Sequence, residues 1–355
     1  MDLFETLRAL CAPLGPSGRE DQVRALIGQL AGPHAHRLET DRMGNLRAWI
    51  NPERRPLLML DAHMDEVCFV VQRIEQGGWL RIAATAGFEP RVLPGARVII
   101  QPRPGREVVG VVGLLPPHLE TPADREKALP IERLFVDIGA ASEQEAREAG
   151  VEVGSPAVAD AGGGRLGAKG FYQRNLDDRA GCAALLELLR RLAIDPPDLG
   201  VVCNFAVAEE VGLRGATTAA FDLDPDLALA VDVTMADTPG ADPAKQVSTL
   251  GGGPVVTVLD GRIVVPWAMV DSLEEAAKAI GAPIQRKTPP YGGTDAGAIH
   301  LARGGVPCGV LSIPGRYIHS PVSLINLDDL AATVDVLERW ARSAGQLAEL
   351  LAGRR

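Results

Sequence analysis

After Asn175 the chain alternates between stretches of buried-strand character and stretches of helical periodicity, which narrows the available architectures more than any other feature. Arg179 to Leu192 has helical spacing, Gly200 to Ala208 is an apolar run of strand length, and Leu227 to Val233 is another. Leu327 to Leu351 reads as a long amphipathic helix with Asn326 as its cap. This order implies a mostly parallel sheet covered by helices on both faces. Sheets of this kind bind ligands outside the carboxyl ends of their strands, so the residues that close each apolar run become the first candidates for chemistry.

The first half reads differently. Leu3, Leu7 and Leu10, then Val23, Leu26, Ile27 and Leu30, recur at helical spacing on either side of Gly15-Pro16-Ser17-Gly18. Between about Val67 and Lys169 the pattern turns to β: Glu66 to Gln72, Arg97 to Gln101 and Val108 to Val112 are short strands parted by Gly and Pro. We therefore expect an α/β domain formed by residues 1–66 and 170–355, interrupted by an all-β domain at 67–169. A length of 355 residues suits two domains, and 46% hydrophobic with 23% charged residues suits globular ones. A net charge of −10 argues against a nucleic-acid partner, which clustered Lys and Arg would meet. The five scattered cysteines read as reduced and buried, the acidic N-terminus does not resemble a signal peptide, and no apolar run reaches membrane-spanning length. The expectation is a cytoplasmic protein without membrane contact.

The strand ends carry a coherent set of residues. Leu57 to Leu60 runs into Asp61-Ala62-His63-Met64-Asp65-Glu66, where i and i+2 share a face of a strand, so Asp65 stands beside the His63 imidazole as a carboxylate behind a metal ligand. Asn175-Leu176-Asp177-Asp178-Arg179 precedes a helix; Asp178 reads equally well as a helix cap, Asp177 less so. The run Val201 to Ala208 ends in Glu209-Glu210, and adjacent side chains point apart, so one glutamate can bind a metal while the other faces a water. Asp232 ends the next run, and Gly309 to Ile313 leads to His319. His63, Asp177, Glu210, Asp232 and His319 together suit two divalent ions, zinc or cobalt by ligand type, with one carboxylate able to bridge and Glu209 left as base. His34, His36, His118 and His300 belong to no such element and read as surface or packing residues.

The ordered segments Ala62-His63-Met64-Asp65-Glu66, Leu176 to Gly181, Ala208 to Gly212, Gly293-Thr294-Asp295-Ala296 and Arg316 to Ser320 resemble the M42 family of metallo-aminopeptidases, which includes glutamyl and deblocking enzymes and members labelled cellulase or endoglucanase. The likeness covers nearly the whole chain, including Phe135 to Gly139 and Val153-Gly154. It implies that His63 and Asp232 hold one metal, Glu210 and His319 the other, that Asp177 bridges, that Glu209 is the general base and acid, and that Asp65 supports His63. It implies a phosphorylase/hydrolase-like α/β fold, a mixed sheet sandwiched by helices, with a small inserted β-barrel used for dimerisation, and a homo-oligomer up to a tetrahedral dodecamer. Two departures stand out: Gly251-Gly252-Gly253-Pro254 lacks a lysine frequent in relatives, and Gly315 replaces a frequent cysteine.

The implied reaction removes the N-terminal residue of peptides. A water shared by two cations is deprotonated by Glu209, and Tyr317 and Asp295 line the substrate cleft. The alternatives are a dinuclear-metal deacylase or carboxypeptidase, an endoglucanase working by paired carboxylates alone, and a non-catalytic assembly module.

Overall fold

The computed structural model describes residues 2–119 and 129–353; the expected domains also contain Met1, residues 120–128 and Arg354–Arg355, which lie outside the described residues. Among the described residues seventeen strands follow in chain order: β1 Arg37–Thr40, β2 Leu46–Ile50, β3 Leu57–His63, β4 Phe69–Ile74, β5 Leu80–Ala84, β6 Arg97–Arg103, β7 Arg106–Gly113, β8 Phe135–Asp137, β9 Pro156–Ala159, β10 Gly164–Leu166, β11 Gly170–Gln173, β12 Gly200–Ala206, β13 Leu227–Met235, β14 Val255–Thr257, β15 Gln285–Lys287, β16 Cys308–Arg316 and β17 Ser323–Asn326. They form a large mixed sheet, β1-β2-β12-β3-β13-β16-β17-β11-β10 with β14 and β15 at its side, and a closed barrel, β4-β5-β8-β7-β6-β9.

The expectation of a mostly parallel sheet holds only at the centre, where β12, β3, β13 and β16 run parallel; β2, β17, β11 and β10 pair antiparallel at the flanks. The parallel strands are the apolar ones because both of their faces are covered. The helix Leu176–Ile194 is buried along most of its length and packs on β3 and β13. The helix Leu327–Ala352 begins where the Asn326 side chain accepts the Asp328 amide (2.9 Å). On it, fully buried Trp340 donates through Nε1 to Ser272 Oγ of the helix Trp267–Ile280 (2.9 Å).

The barrel shows period-2 burial. On β7, Gly110 and Val112 face inward while Val109 and Val111 stay about half exposed. β4 starts at Phe69, later than the sequence suggests, because Asp65 and Glu66 are engaged elsewhere. Glu66, fully inside the protein, accepts from Gly15 N (2.9 Å) and from Arg174 Nε (2.8 Å), with Arg179 Nη2 at 3.6 Å. Arg174 also lies 3.8 Å from Asp160, just past β9. The chain thus enters and leaves the barrel through one buried cluster of charges.

Both departures have local reasons. A Cβ on Gly315 would come within 2.5 Å of Val233 Cγ1 on the neighbouring strand. Gly251 and Gly253, both at φ +86°, aim their amides at the Asp329 carboxylate (2.7 and 2.8 Å).

Candidate metal centre

Parallel register sets the level of the site. Ala206 of β12 is opposite His63, and Ala230 of β13 is opposite Asp61, so Asp232 stands level with His63. Glu209 and Glu210 follow β12 after Ala208, which turns the chain at φ +55°. Asp177 and Asp178 open their helix with non-helical backbone angles. Asp178 accepts from the amides of Gly181 (2.9 Å) and His63 (3.2 Å), so it acts as the helix cap and as a brace for β3. Asp177 is thereby the acid left facing the histidines. Tyr317 and His319, past the end of β16, sit at φ +60° and +58°, a region that non-glycine residues enter only when their surroundings hold them there.

The five expected ligands converge. His63 Nε2 lies 3.2 Å from Asp177 Oδ1 and 3.9 Å from Asp232 Oδ1. His319 Nε2 lies 3.6 Å from Asp177 Oδ2 and 3.4 Å from Glu210 Oε1. Asp177 therefore turns one oxygen toward each imidazole. Glu209 Oε2 is 4.0 Å from His63 Nε2. Three overlapping groups, His63/Asp177/Asp232, His63/Glu209/Glu210 and Asp177/Glu210/His319, each bring their donor atoms within 4.8 Å of one another. Imidazole and carboxylate without thiolate is a donor set for borderline divalent cations.

Asp65 organises this cluster, though it reaches His63 from the turn after β3 and not as a strand neighbour. Its Oδ1 lies 3.3 Å from His63 Nδ1 and accepts the Glu209 amide (3.0 Å); its Oδ2 accepts Ser17 Oγ (2.6 Å) and the Glu210 amide (3.2 Å). One carboxylate orients a histidine and both glutamates.

Electrostatics here show how much positive charge the cluster wants. Burial and the neighbouring carboxylates push Glu209 up to about 8, against the pull of His63, and burial raises Asp232 well above its ordinary value. Burial opposes the charge on His319, yet hydrogen bonds to Asp177 and Glu210 prevail and lift it to about 11; His63 is raised in the same way by Asp177 and Asp65. Burial likewise opposes ionisation of Asp177, but the two imidazoliums hold it well below the usual carboxylate range.

A cavity of about 520 Å³ opens on the cluster. His63, Asp177, Glu209, Glu210, Asp232 and His319 line one part, Ala86 and Gly87 come from the barrel, and Arg262, Lys287, Tyr291 and Thr294 are among the other lining residues. Tyr317 and Asp295 are not among its lining residues. Tyr317 is half exposed, and Asp295 is buried with its carboxyl facing Asp61, whose charge together with burial pushes it upward. Tyr291 and Thr294 do line the cavity. Sequence reasoning passed over Lys287 and Arg262. Lys287 is 4% exposed, and burial lowers its ammonium from the ordinary value.

The profile of the M42 glutamyl aminopeptidase family matches residues 44–336. This chain belongs to the M42 peptidase family. It is accordingly a peptide-bond hydrolase of the aminopeptidase kind. It is 35% identical over 334 residues to a lysyl aminopeptidase of Pyrococcus furiosus, covering 93% of this chain and 94% of that one. Among solved structures, the TET aminopeptidase from the marine sediment archaeon Thaumarchaeota archaeon SCGC AB-539-E09 superposes with a TM-score of 0.94 at 33% identity over 98% of each chain. The Pyrococcus horikoshii TET1 peptidase, which can assemble into a tetrahedron or a large octahedral shell, does so with a TM-score of 0.85 at 31% identity over 96% of this chain and 99% of that one. No helix among the described residues of this M42 chain is long and apolar enough to cross a membrane.

Proposed function

We infer that this M42 aminopeptidase works with two divalent cations, zinc or cobalt, and with Glu209 as its proton carrier. The observation that carries the reading is Asp177, whose two oxygens face different imidazoles, each with its own further carboxylate. His63 and Asp232 would hold one ion, Glu210 and His319 the other, and Asp177 both. Bound there, such cations supply an acidified water and a Lewis acid for the scissile carbonyl.

The remaining work falls to the chain. Glu209 takes the proton of the attacking water and returns it to the departing amine nitrogen. A carboxyl that burial raises toward neutrality suits a group that must both accept and release a proton. Asp65 keeps the His63 ring and the Glu209 amide in register during that transfer. The substrate's free amine and first residue enter the cavity, whose walls set the length that fits. Membership alone leaves the charge of that residue open, since the family is described as glutamyl and the Pyrococcus furiosus relative as lysyl. We read the α/β part, residues 1–66 and 170–355, as the catalytic domain and the barrel, residues 67–169, as the dimerisation domain, and extend the assembly of the TET1 relative to a homo-oligomer here. Val109, Val111, Leu114, Leu115 and Leu119 expose apolar surface on the barrel in support.

Glu209→Gln tests the assignment. Leucine p-nitroanilide turnover should fall about 10²- to 10⁴-fold while metal content per chain stays the same; near-normal turnover rejects the role, and lost metal makes Glu209 a ligand. Release of acetate from N-acetyl-leucine in preference to cleavage of the free-amine anilide would favour a deacylase, and chelator-insensitive cleavage of cellulose an endoglucanase. Light scattering of the intact protein reads the assembly.

A further inference from the structure

We propose that Glu20 is a positioning residue for Glu209: its carboxylate holds the Ala208 amide and so fixes the turn that aims the proton carrier at the metal cluster. The inference rests on the reading of Glu209 as that carrier.

Past the end of β12, four successive amides each donate to a side chain from another part of the chain. Val207 N reaches Asn45 Oδ1 (3.0 Å) and Ala208 N reaches Glu20 Oε1 (3.0 Å). Glu209 N and Glu210 N reach Asp65 Oδ1 and Oδ2 (3.0 and 3.2 Å). A buried backbone that has left its sheet must find such partners, and the side chains that supply them set its path. The path is demanding at Ala208, whose φ of +55° crowds its Cβ against the following carbonyl. Glu209 is the next residue, so any relaxation of this turn moves its carboxylate.

Glu20 serves this turn and not its own helix. It stands at the N-cap position of the helix Asp21–Ala31, yet its side chain makes no cap bond there. At 4% exposure, its Oε1 accepts from Gly18 N (2.8 Å) as well as from Ala208. A shorter Asp, Asn or Ser would cap the helix better. The longer side chain is what spans the gap to the end of β12.

The support beneath Glu20 is stiff. Gly15 and Glu66 are joined twice, from Glu66 N to Gly15 O (2.9 Å) and from Gly15 N to Glu66 Oε1 (2.9 Å). Ser17 Oγ donates to Asp65 Oδ2 (2.6 Å), and Arg19 N donates to Pro16 O (2.8 Å). The loop 15–20 is thus fastened to the same turn after β3 that carries Asp65. From that one support, Asp65 grips the amides of both glutamates and Glu20 grips the residue before them. Because Asp65 already secures Glu210, losing the Glu20 contact should disturb the proton carrier and spare the metals.

The test opposes two variants, each compared with metal-loaded wild type on leucine p-nitroanilide. Glu20→Asp keeps the charge and supplies a preferred helix cap, but is one methylene too short to reach Ala208. Glu20→Gln keeps the reach and an acceptor oxygen, but is the poorer cap. Glu20→Asp should lower kcat about ten- to a hundredfold, the scale of misplacing a reacting group by up to about 1 Å, with KM and metal content unchanged. Glu20→Gln should keep most of the wild-type kcat. A helix-capping role requires the opposite order, and that order overturns the proposal. So does a loss in Glu20→Asp that appears in KM or in metal content instead of kcat. Added to Glu209→Gln, Glu20→Asp should leave the residual rate where it was, and a further loss of the full single-variant size overturns the link between the two residues. Near-normal turnover in Glu209→Gln alone would instead sink the assignment of the proton carrier beneath it.

Discussion

Replacing Asp65 by Asn probes the carboxylate on which the geometry of the site turns. The carboxylate is fully buried and receives the Ser17 hydroxyl at 2.6 Å and the Glu209 and Glu210 amides at 3.0 and 3.2 Å, with His63 Nδ1 at 3.3 Å. Burial drives its pKa up, but the hydrogen bonds and charge of His63, with Ser17 and the Glu209 amide, win and hold it below the ordinary value. The amide of Asn has one acceptor where the carboxylate has two, so one oxygen's worth of donors faces an NH₂. Two charge-assisted bonds at about 1.5–3 kcal/mol each set an upper range of about 3–6 kcal/mol, part of which side-chain rotation recovers. We expect a loss of about 2–4 kcal/mol in urea unfolding of the metal-free protein. Metal affinity, read by calorimetric titration, should fall about 10- to 100-fold, as when the partner behind a ligating histidine is lost. The sign with pH follows from the lowered pKa: the Asp65 contribution is full above its unfolded value and disappears as pH falls through the folded one, so wild type and variant converge in acid. A variant within about 0.5 kcal/mol of wild type and unchanged in metal affinity would refute the reasoning, because the bonds would then carry no energy.

Because His319 is held protonated up to about 11 and His63 is raised as well, both must lose protons to ligate, so metal binding should release protons and tighten as pH rises from about 6 to about 8; calorimetry in buffers of different ionisation heat reads the count, and a pH-independent affinity contradicts the assignment. Glu66→Gln leaves Arg179 buried without a carboxylate partner and Arg174 with only Asp160 at 3.8 Å, and should cost about 3–5 kcal/mol in chemical unfolding; a change under about 1 kcal/mol would mean that the junction does not depend on its charge.

His63, Glu210 and Asp232 were legible because they close or directly follow apolar runs, where an acid or histidine adds nothing to packing, whereas Asp177 at a helix start and His319 well past Ile313 were joined to them only through the ordered set of motifs. The alternation after Asn175 similarly marked the parallel centre of the sheet. The antiparallel flanks were not legible, since β10 and β11 are too short to show a period and their place depends on β17, far along the chain. Barrel closure depends on Phe69 pairing with Ala157, a contact that no local pattern announces. Asp178 could be separated from Asp177 only by seeing which amides its oxygens reach. Lys287 escaped notice because it ends a three-residue strand, and a lysine with no partner looks in sequence like any solvated one. The sequence did not show that Thr294 faces the cavity while Asp295, at the start of the short helix that follows, turns toward Asp61.

The loop that leaves β5 brings Ala86 and Gly87 to the rim of the cavity, and the Glu89 amide donates to the carbonyl of His319 (3.2 Å). The insertion is therefore part of the cavity and not an appendage to it. Excising it to make a minimal enzyme would remove a wall of the reaction chamber and untether one of the histidines. Grafting the insertion of one relative onto another would transplant part of the chamber's lining with it, so the barrel and the cavity cannot be exchanged independently in this architecture.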